Sequence, residues 1–303
     1  MPPPQGTSPS AAAESLPEHT DTPPGAVVVG VDGSPDSDRA VDWAFADAGR
    51  RGRGLHFIYA VSLLVDDPGA PEVRESLYAQ GRKLLAAAAD RRPAEFKRDI
   101  TFGLAVGPPA KSLLDAGADA ALLVVGSRGH GGFAGMVVGS VSQHVARHAT
   151  CPVVVVRDQA DAESDRVVVG VDDSDSASAA LGFAFELAAA THGSMQAIRA
   201  WRAAGVGGTG IVVPVTHDKL DRARGEQTML NAALEQWVRK YPSVPVTADA
   251  KAGHAARVLC EASEHAAYVV VGSRGRGAFA GMLLGSTSQA VLHHARCTVV
   301  VVR

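Results

Sequence analysis

A block of 32 residues near the middle of the chain returns at its end. Residues 126–157 read GSRGHGGFAGMVVGSVSQHVARHATCPVVVVR, and residues 272–303 read GSRGRGAFAGMLLGSTSQAVLHHARCTVVVVR. At the fixed offset of 146, 22 of these 32 positions are identical. The string VVVGVD likewise occurs at Val27–Asp32 and again at Val167–Asp172. A period of this length is a whole domain, too long for one unit of a solenoid. The chain therefore reads as two tandem lobes, 26–157 and 166–303. An acidic linker, Asp158–Asp165, joins them, and a Pro-, Ser- and Ala-rich segment, residues 1–25, precedes them and is expected to be disordered.

Each lobe alternates short β-branched runs with helix-length amphipathic stretches. In lobe one, strands are expected near Ala26–Val31, Leu55–Val61, Ile100–Val106, Ala121–Val125 and Val153–Val156. Helices are expected between them, near Ser37–Arg50, Glu72–Arg92, Ala110–Ala118 and Ser140–His148. Lobe two repeats the strands near Val167–Val171, Met195–Ala200, Val246–Ala250, Tyr268–Val271 and Val299–Val302. Runs of Val and Leu without polar alternation suit a parallel sheet covered on both faces. The expected fold is α/β: two tandem doubly wound, Rossmann-like domains, each with a parallel five-stranded sheet.

Charge and hydropathy remove several function classes. Twenty-nine basic residues stand against 32 acidic ones, which excludes a strongly cationic nucleic-acid binder. The longest apolar runs, such as Leu84–Ala89, Ala120–Val125 and Ala266–Val271, stop at six residues, whereas a bilayer span needs about 20. The first 25 residues lack the basic start and apolar core of a secretory signal. Three cysteines, Cys151, Cys260 and Cys297, show no CxxC spacing and cannot all pair. A reducing cytoplasm is the expected compartment.

In doubly wound sheets ligands bind beyond the carboxyl ends of the strands, where strand order reverses. Two strand ends carry unusual residues. One ends in Asp32, or Asp172 in lobe two; the other opens a glycine-rich loop into a helix. The loop spacing G-x2-G-x9-G-S is met by Gly126, Gly129, Gly139 and Ser140, and again by Gly272, Gly275, Gly285 and Ser286. Glycine permits positive φ and close backbone approach to a ligand. A helix start offers free N–H groups and a dipole that favours an anion. These residues form a candidate phosphate cradle, to which Arg128 and Arg274 could add charge-assisted contacts. The structural alternative is a long turn that needs glycines, closed by a Ser N-cap. For Asp32 and Asp172 the alternative is a turn aspartate capping the next helix.

The aspartate after the first strand, GSRG after the fourth and the G-x2-G-x9-G-S spacing together resemble the universal stress protein family, in its tandem, ATP-binding form. The resemblance covers residues 26–303. It implies a nucleoside contact for Asp32 and Asp172, and adenine contacts near Ala60 and Ala200. It assigns ribose and phosphates to the two glycine loops, with ATP, accompanied by Mg²⁺, as the ligand. The chain departs from the family pattern before the fourth strand, where Ala120-Ala121 and Ala266-Ala267 stand in place of an acidic residue. Lobe two also carries a glycine-rich insertion, Gly205–Gly210.

Other signals point to structure. Gly205–Gly210 matches GxGxxG but runs into Ile211-Val-Val-Pro214 rather than a helix, so it is a poor dinucleotide fingerprint. His144 and His148 have metal-capable spacing, yet lobe two has Ala290 at the first position, and no metal is assigned. Cys151 and Cys297 read as small buried thiols. No Ser/His/Asp or Cys/His constellation recurs, and His130 gives way to Arg276, so no catalytic residue is assigned. The resulting expectation is an ATP-binding stress-response regulator whose occupancy switches conformation or the choice of a protein partner not yet identified. The alternative is a slow ATPase or nucleotide-transfer enzyme. The apolar strands Val153–Val156 and Val299–Val302 are expected to pair across the lobes, as family dimers also imply. A further homodimer of the whole chain stays open, with no residue that specifies it.

Overall fold

The computed structural model describes residues 21–61, 71–129, 138–161, 163–202, 216–276 and 283–303, with backbone alone at 71 and 216–219. The expected disorder up to residue 20, the Gly205–Gly210 insertion and His130 lie outside the described residues. Contacts divide the chain into two units, 1–157 and 158–303.

Unit 1 runs β1 (Val27–Gly30), α1 (Pro35–Arg51), β2 (Leu55–Val61), α2 (Pro71–Asp90), β3 (Ile100–Val106), α3 (Pro109–Ala116), β4 (Leu122–Gly126), α4 (Ser140–His148) and β5 (Val153–Val156). Its strands pair in parallel in the order β3-β2-β1-β4-β5. Unit 2 runs β6 (Val167–Gly170), α5 (Asp175–Thr191), β7 (Met195–Trp201), α6 (Thr216–Lys240), β8 (Val246–Ala252), α7 (Ala255–Ala262), a 3₁₀ turn (Ser263–His265), β9 (Tyr268–Gly272), α8 (Ser286–His294) and β10 (Thr298–Val302). Its order, β8-β7-β6-β9-β10, repeats that of unit 1. The doubly wound α/β reading holds in both units.

Strand composition explains the layering. Val27, Val28 and Val29 are fully buried, as are Leu123 and Val124, so both faces of the central strands are covered. In unit 1, α1 packs on β1, β4 and β5, α2 on β2 and β3, and α3 on β1, β2 and α4. Right-handed crossovers require this division of the helices between the two faces. Phe45 of α1 meets Phe57 of β2 and Phe96 edge-on, with centroids 5.6 and 5.1 Å apart. Unit 2 instead stacks Phe185 on Trp237 and Tyr241.

The segment expected as a linker belongs to unit 2, where it is hydrogen-bonded. Gln159 Nε2 donates to the Ala267 carbonyl, the Ala160 N–H to that of Arg296, and Ser164 Oγ to that of His265. Among the described residues no helix is long and apolar enough to cross a membrane.

β1 lies between β2 and β4, so the winding reverses at β1. The residues that follow β1 and β4 therefore flank the crevice where ligands of such sheets bind. In unit 2, β6 and β9 occupy the same positions.

Candidate functional site

The first turn of α1 is built by local polar residues. Ser34 is the N-cap, and its hydroxyl accepts from the Ser37 N–H (3.2 Å), with Pro35 next in line. Asp32 does not cap the helix; its Oδ1 accepts from the Ser34 N–H at 2.9 Å, a two-residue turn. The other carboxylate oxygen, Oδ2, faces the glycine loop. A Cβ on Gly129 would sit 2.3 Å from it, and in unit 2 a Cβ on Gly275 would sit 2.6 Å from Asp172 Oδ2. The structure thus brings each aspartate against the second glycine of its loop.

Crowding assigns different work to each glycine. At Gly126 a Cβ would lie 2.6 Å from the Asp36 backbone carbon, and at Gly272 2.8 Å from that of Ser176. The first glycine of each loop therefore lets a strand end touch a helix start. At Gly139 and Gly285 nothing among the described residues comes closer than 3.4 and 3.5 Å to such a Cβ. None of these six glycines has positive φ, so of the two properties glycine offers, close approach is the one used at these positions.

The helix start remains uncapped by side chains. Gly139 and Gly285 are the N-caps of α4 and α8, so Ser140 and Ser286 stand one place inside as exposed first residues. The Ser N-cap of the structural alternative is therefore not formed. The loop ends are closed by Gly139 N–H donating to Ser127 O and Gly285 N–H to Ser273 O, both at 2.7 Å. Ser142 Oγ and Ser288 Oγ each donate to the first-glycine carbonyl at 2.6 Å, pinning helix to strand. First-turn amides without a capping side chain can donate to an anion.

Ala60 and Ala200 lie near the ends of β2 and β7, half-exposed, paired in register with Ala105 and Lys251. Their neighbours were not singled out in the sequence, yet they reach the site. Burial, and then the charge of Asp32, push the Tyr59 phenol above its usual range. The matching residue of unit 2 is Arg199, since Ile58 and Ile198 hold the same register against Gly30 and Gly170.

The arginines of the two loops differ. In unit 1 the buried Asp36 accepts from Ser127 Oγ (2.6 Å), the Arg128 N–H (3.0 Å) and Arg128 Nε (3.2 Å), and pairs with Arg39. Burial pulls the Asp36 carboxyl upward, but these hydrogen bonds and the cations outweigh it and leave the pKa lowered. In unit 2 Ser176 takes this place and donates to the Arg274 carbonyl. Asp36→Ala is expected to cost about 2–3 kcal/mol, because it orphans a hydroxyl and an amide together. Ser176→Ala should cost under about 1 kcal/mol. Urea unfolding of the two variants checks the difference, and equal losses would contradict the anchoring role.

The paired histidines and the cysteines have local contacts of their own. The His144 and His148 rings stack at 4.1 Å, and His148 Nδ1 lies 2.8 Å from the His144 carbonyl. Cys151 and Cys297 are buried, and no cysteine is in a disulfide. Among the described residues no group of three His, Cys, Asp or Glu side chains could hold a metal ion.

The model of the universal stress protein family matches residues 25–157 and again 163–303. The chain belongs to the universal stress protein family. A universal stress protein of Mycobacterium tuberculosis is 35% identical over 297 residues, covering 91% of this chain and 96% of that one. Another, from Mycobacterium bovis, is 34% identical over 289 residues, with the same coverage of both chains. Among solved structures, a universal stress protein from Archaeoglobus fulgidus superposes with a TM-score of 0.67 at 22% identity, covering 92% of this chain and 96% of that one. That likeness supports the fold of a tandem universal stress protein.

Proposed function

We propose that the chain is an ATP-binding stress-response regulator in which nucleotide occupancy changes conformation or the choice of protein partner. One observation carries this reading. Both units place an aspartate carboxylate, a glycine with no room for a Cβ and an uncapped helix start at one reversal of the sheet. A carboxylate accepts hydrogen bonds, so Asp32 and Asp172 suit the hydroxyls or amine of a nucleoside and would repel phosphates. The backbone amides at Gly139-Ser140 and Gly285-Ser286 suit the phosphates. Bound ATP would bring its own Mg²⁺, coordinated by phosphate oxygens, and supply a charged moiety whose presence the loops can register.

Identification of the ligand released on denaturing the purified chain tests the reading directly. ATP at up to two equivalents is expected; a chain that arrives empty and gives no heat with Mg-ATP would refute it. Turnover should be slow, because fast phosphoryl transfer needs a positioned nucleophile as well as charge stabilisation. Asp32 and Asp172 are already engaged by the amides of Ser34 and Ser174. Phosphate release at saturating Mg-ATP is expected well below the enzyme median of about 10 per second. Rapid release that disappears in a Gly129→Ala, Gly275→Ala double variant would favour an ATPase instead.

A further inference from the structure

The two loops share their spacing but not their charges. After Asp32, unit 1 has Gly33 at φ +81°, whereas unit 2 has Asp173 at the matching place. The Asp173 carboxylate receives both terminal nitrogens of Arg199, at 2.8 and 3.0 Å. Arg199 Nε in turn donates to Glu226 at 2.7 Å. Only 3% of the Arg199 side chain is exposed, so this guanidinium is a fixed post held by two carboxylates. A second cation joins from the loop: the Arg276 guanidinium donates to Asp173 and its backbone N–H to Asp172 Oδ2. Unlike Arg199, its side chain is 58% exposed, and its bond to Asp173 is the one that can be given up. On release, Arg199 keeps both Asp173 and Glu226, so no buried charge is left alone.

The geometry points to Asp173 and Arg276 as residues that make unit 2 select ligands by phosphate number, a property unit 1 lacks. This rests on the nucleotide reading above. Arg276 stands directly after Gly275, in the loop that leads to the uncapped helix start at Gly285-Ser286. To contact a phosphate it must leave Asp173, and that carboxylate also repels any anion that enters. A monophosphate offers little more charge than the carboxylate it must displace. A triphosphate, with several oxygens and more charge, wins the exchange. In unit 1 no side chain stands at Gly33, Tyr59 replaces Arg199 and His130 stands in the sequence where unit 2 has Arg276, while Arg128, the match of Arg274, pairs with the buried Asp36. Asp36 is buried, its side chain only 7% exposed against 41% for Asp173, so in unit 1 no exposed carboxylate follows the first strand's aspartate to oppose an incoming anion.

The test follows backbone amide NMR signals of the full chain, with Arg276 reporting on unit 2 and Arg128 on unit 1, during titration with ATP and with AMP. Tripolyphosphate and orthophosphate are titrated in parallel, as the same contrast without a base. In the wild-type chain the ATP-to-AMP affinity ratio should be larger in unit 2 than in unit 1. Asp173→Asn, which keeps an acceptor for Arg199, should tighten AMP in unit 2 roughly three- to tenfold and leave unit 1 unchanged. Arg276→Ala should weaken ATP in unit 2 by a similar factor. Equal ratios in the two units, unmoved by both variants, would overturn the inference and leave nucleotide binding standing. Tripolyphosphate binding that responds to both variants, with no response to ATP beyond that of its phosphates, would support the selector and overturn the nucleotide reading. No response to any of the four anions would overturn both.

Discussion

Lowering the pH from 7.5 to 5 is expected to remove about 2 kcal/mol of stability from unit 1 through one residue, His56, and about 3 kcal/mol by pH 4. His56 lies in β2, almost fully buried. Its Nδ1 is 2.9 Å from Thr101 Oγ1, and that hydroxyl gives its own proton to the Leu55 carbonyl at 3.2 Å. Thr101 must therefore accept from the ring, which places the imidazole proton on Nδ1. Nε2 is buried with no partner among the described residues, 2.9 Å from the place a Cβ on Gly103 would occupy. A second proton would put a cation there with nothing to receive it. Burial accordingly lowers the pKa from 6.5 to about 4. The unfolded chain then binds more protons than the folded one between those values. The contribution is intact above pH 6.5 and lost as pH falls through 4. Unit 2 carries Gln196 at this place, bonded to Asp249 at 2.6 Å, so His56→Gln is a natural non-titrating control. Urea unfolding at several pH values should show a steeper acid loss in the wild-type chain than in the variant. Parallel curves would mean that the ring finds a partner on protonation.

The second large effect concerns binding. Gly129→Ala is expected to weaken nucleotide binding in unit 1, and Gly275→Ala in unit 2, by about 5- to 150-fold each. The added methyl would fall 2.3 or 2.6 Å from a carboxylate oxygen, so either the aspartate or the loop must shift. Strain of this kind costs about 1–3 kcal/mol where the surroundings are packed, and each 1.4 kcal/mol is tenfold in affinity. Calorimetry should resolve two sites in the wild-type chain, one of them weakened in either variant and both weakened in the double variant. Unchanged affinity in both single variants would show that the ligand does not use this part of the loop.

Much of this arrangement is legible in the sequence, because duplication displays it twice. The strands are read from runs of Val and Leu, and all ten form; β8 extends to Ala252, two residues beyond expectation. Family membership follows from Asp32, GSRG and the loop spacing together. What escaped was whatever the two copies do not share. Asp36, Tyr59, Arg199 and Asp173 reach the site, but each has a different residue at the matching place, so a search for recurrence passes over them. Their roles depend on contacts between segments far apart in the chain, such as Asp36 with Ser127, which no local pattern encodes. The glycines were legible as a spacing but not as a mechanism. Gly126 is required by the approach of α1, a fact visible only once helix and strand are packed.

The Arg276–Asp173 bond also bears on how far the halves are interchangeable as building blocks. By sequence the GSRG loops look portable, since four of their first five residues agree. Transplanting the unit 1 loop into unit 2 would bring histidine in place of Arg276. Asp173 would then keep Arg199 but lose its outer cation, leaving unit 2 one positive charge poorer beside two aspartates. The reverse graft would bring an arginine in place of His130, while unit 1 has Gly33, with no carboxylate, where unit 2 has Asp173. A chimera that behaves like its donor must therefore exchange at least the residues matching 173, 199 and 276 as one set, although they come from three separate stretches of the chain.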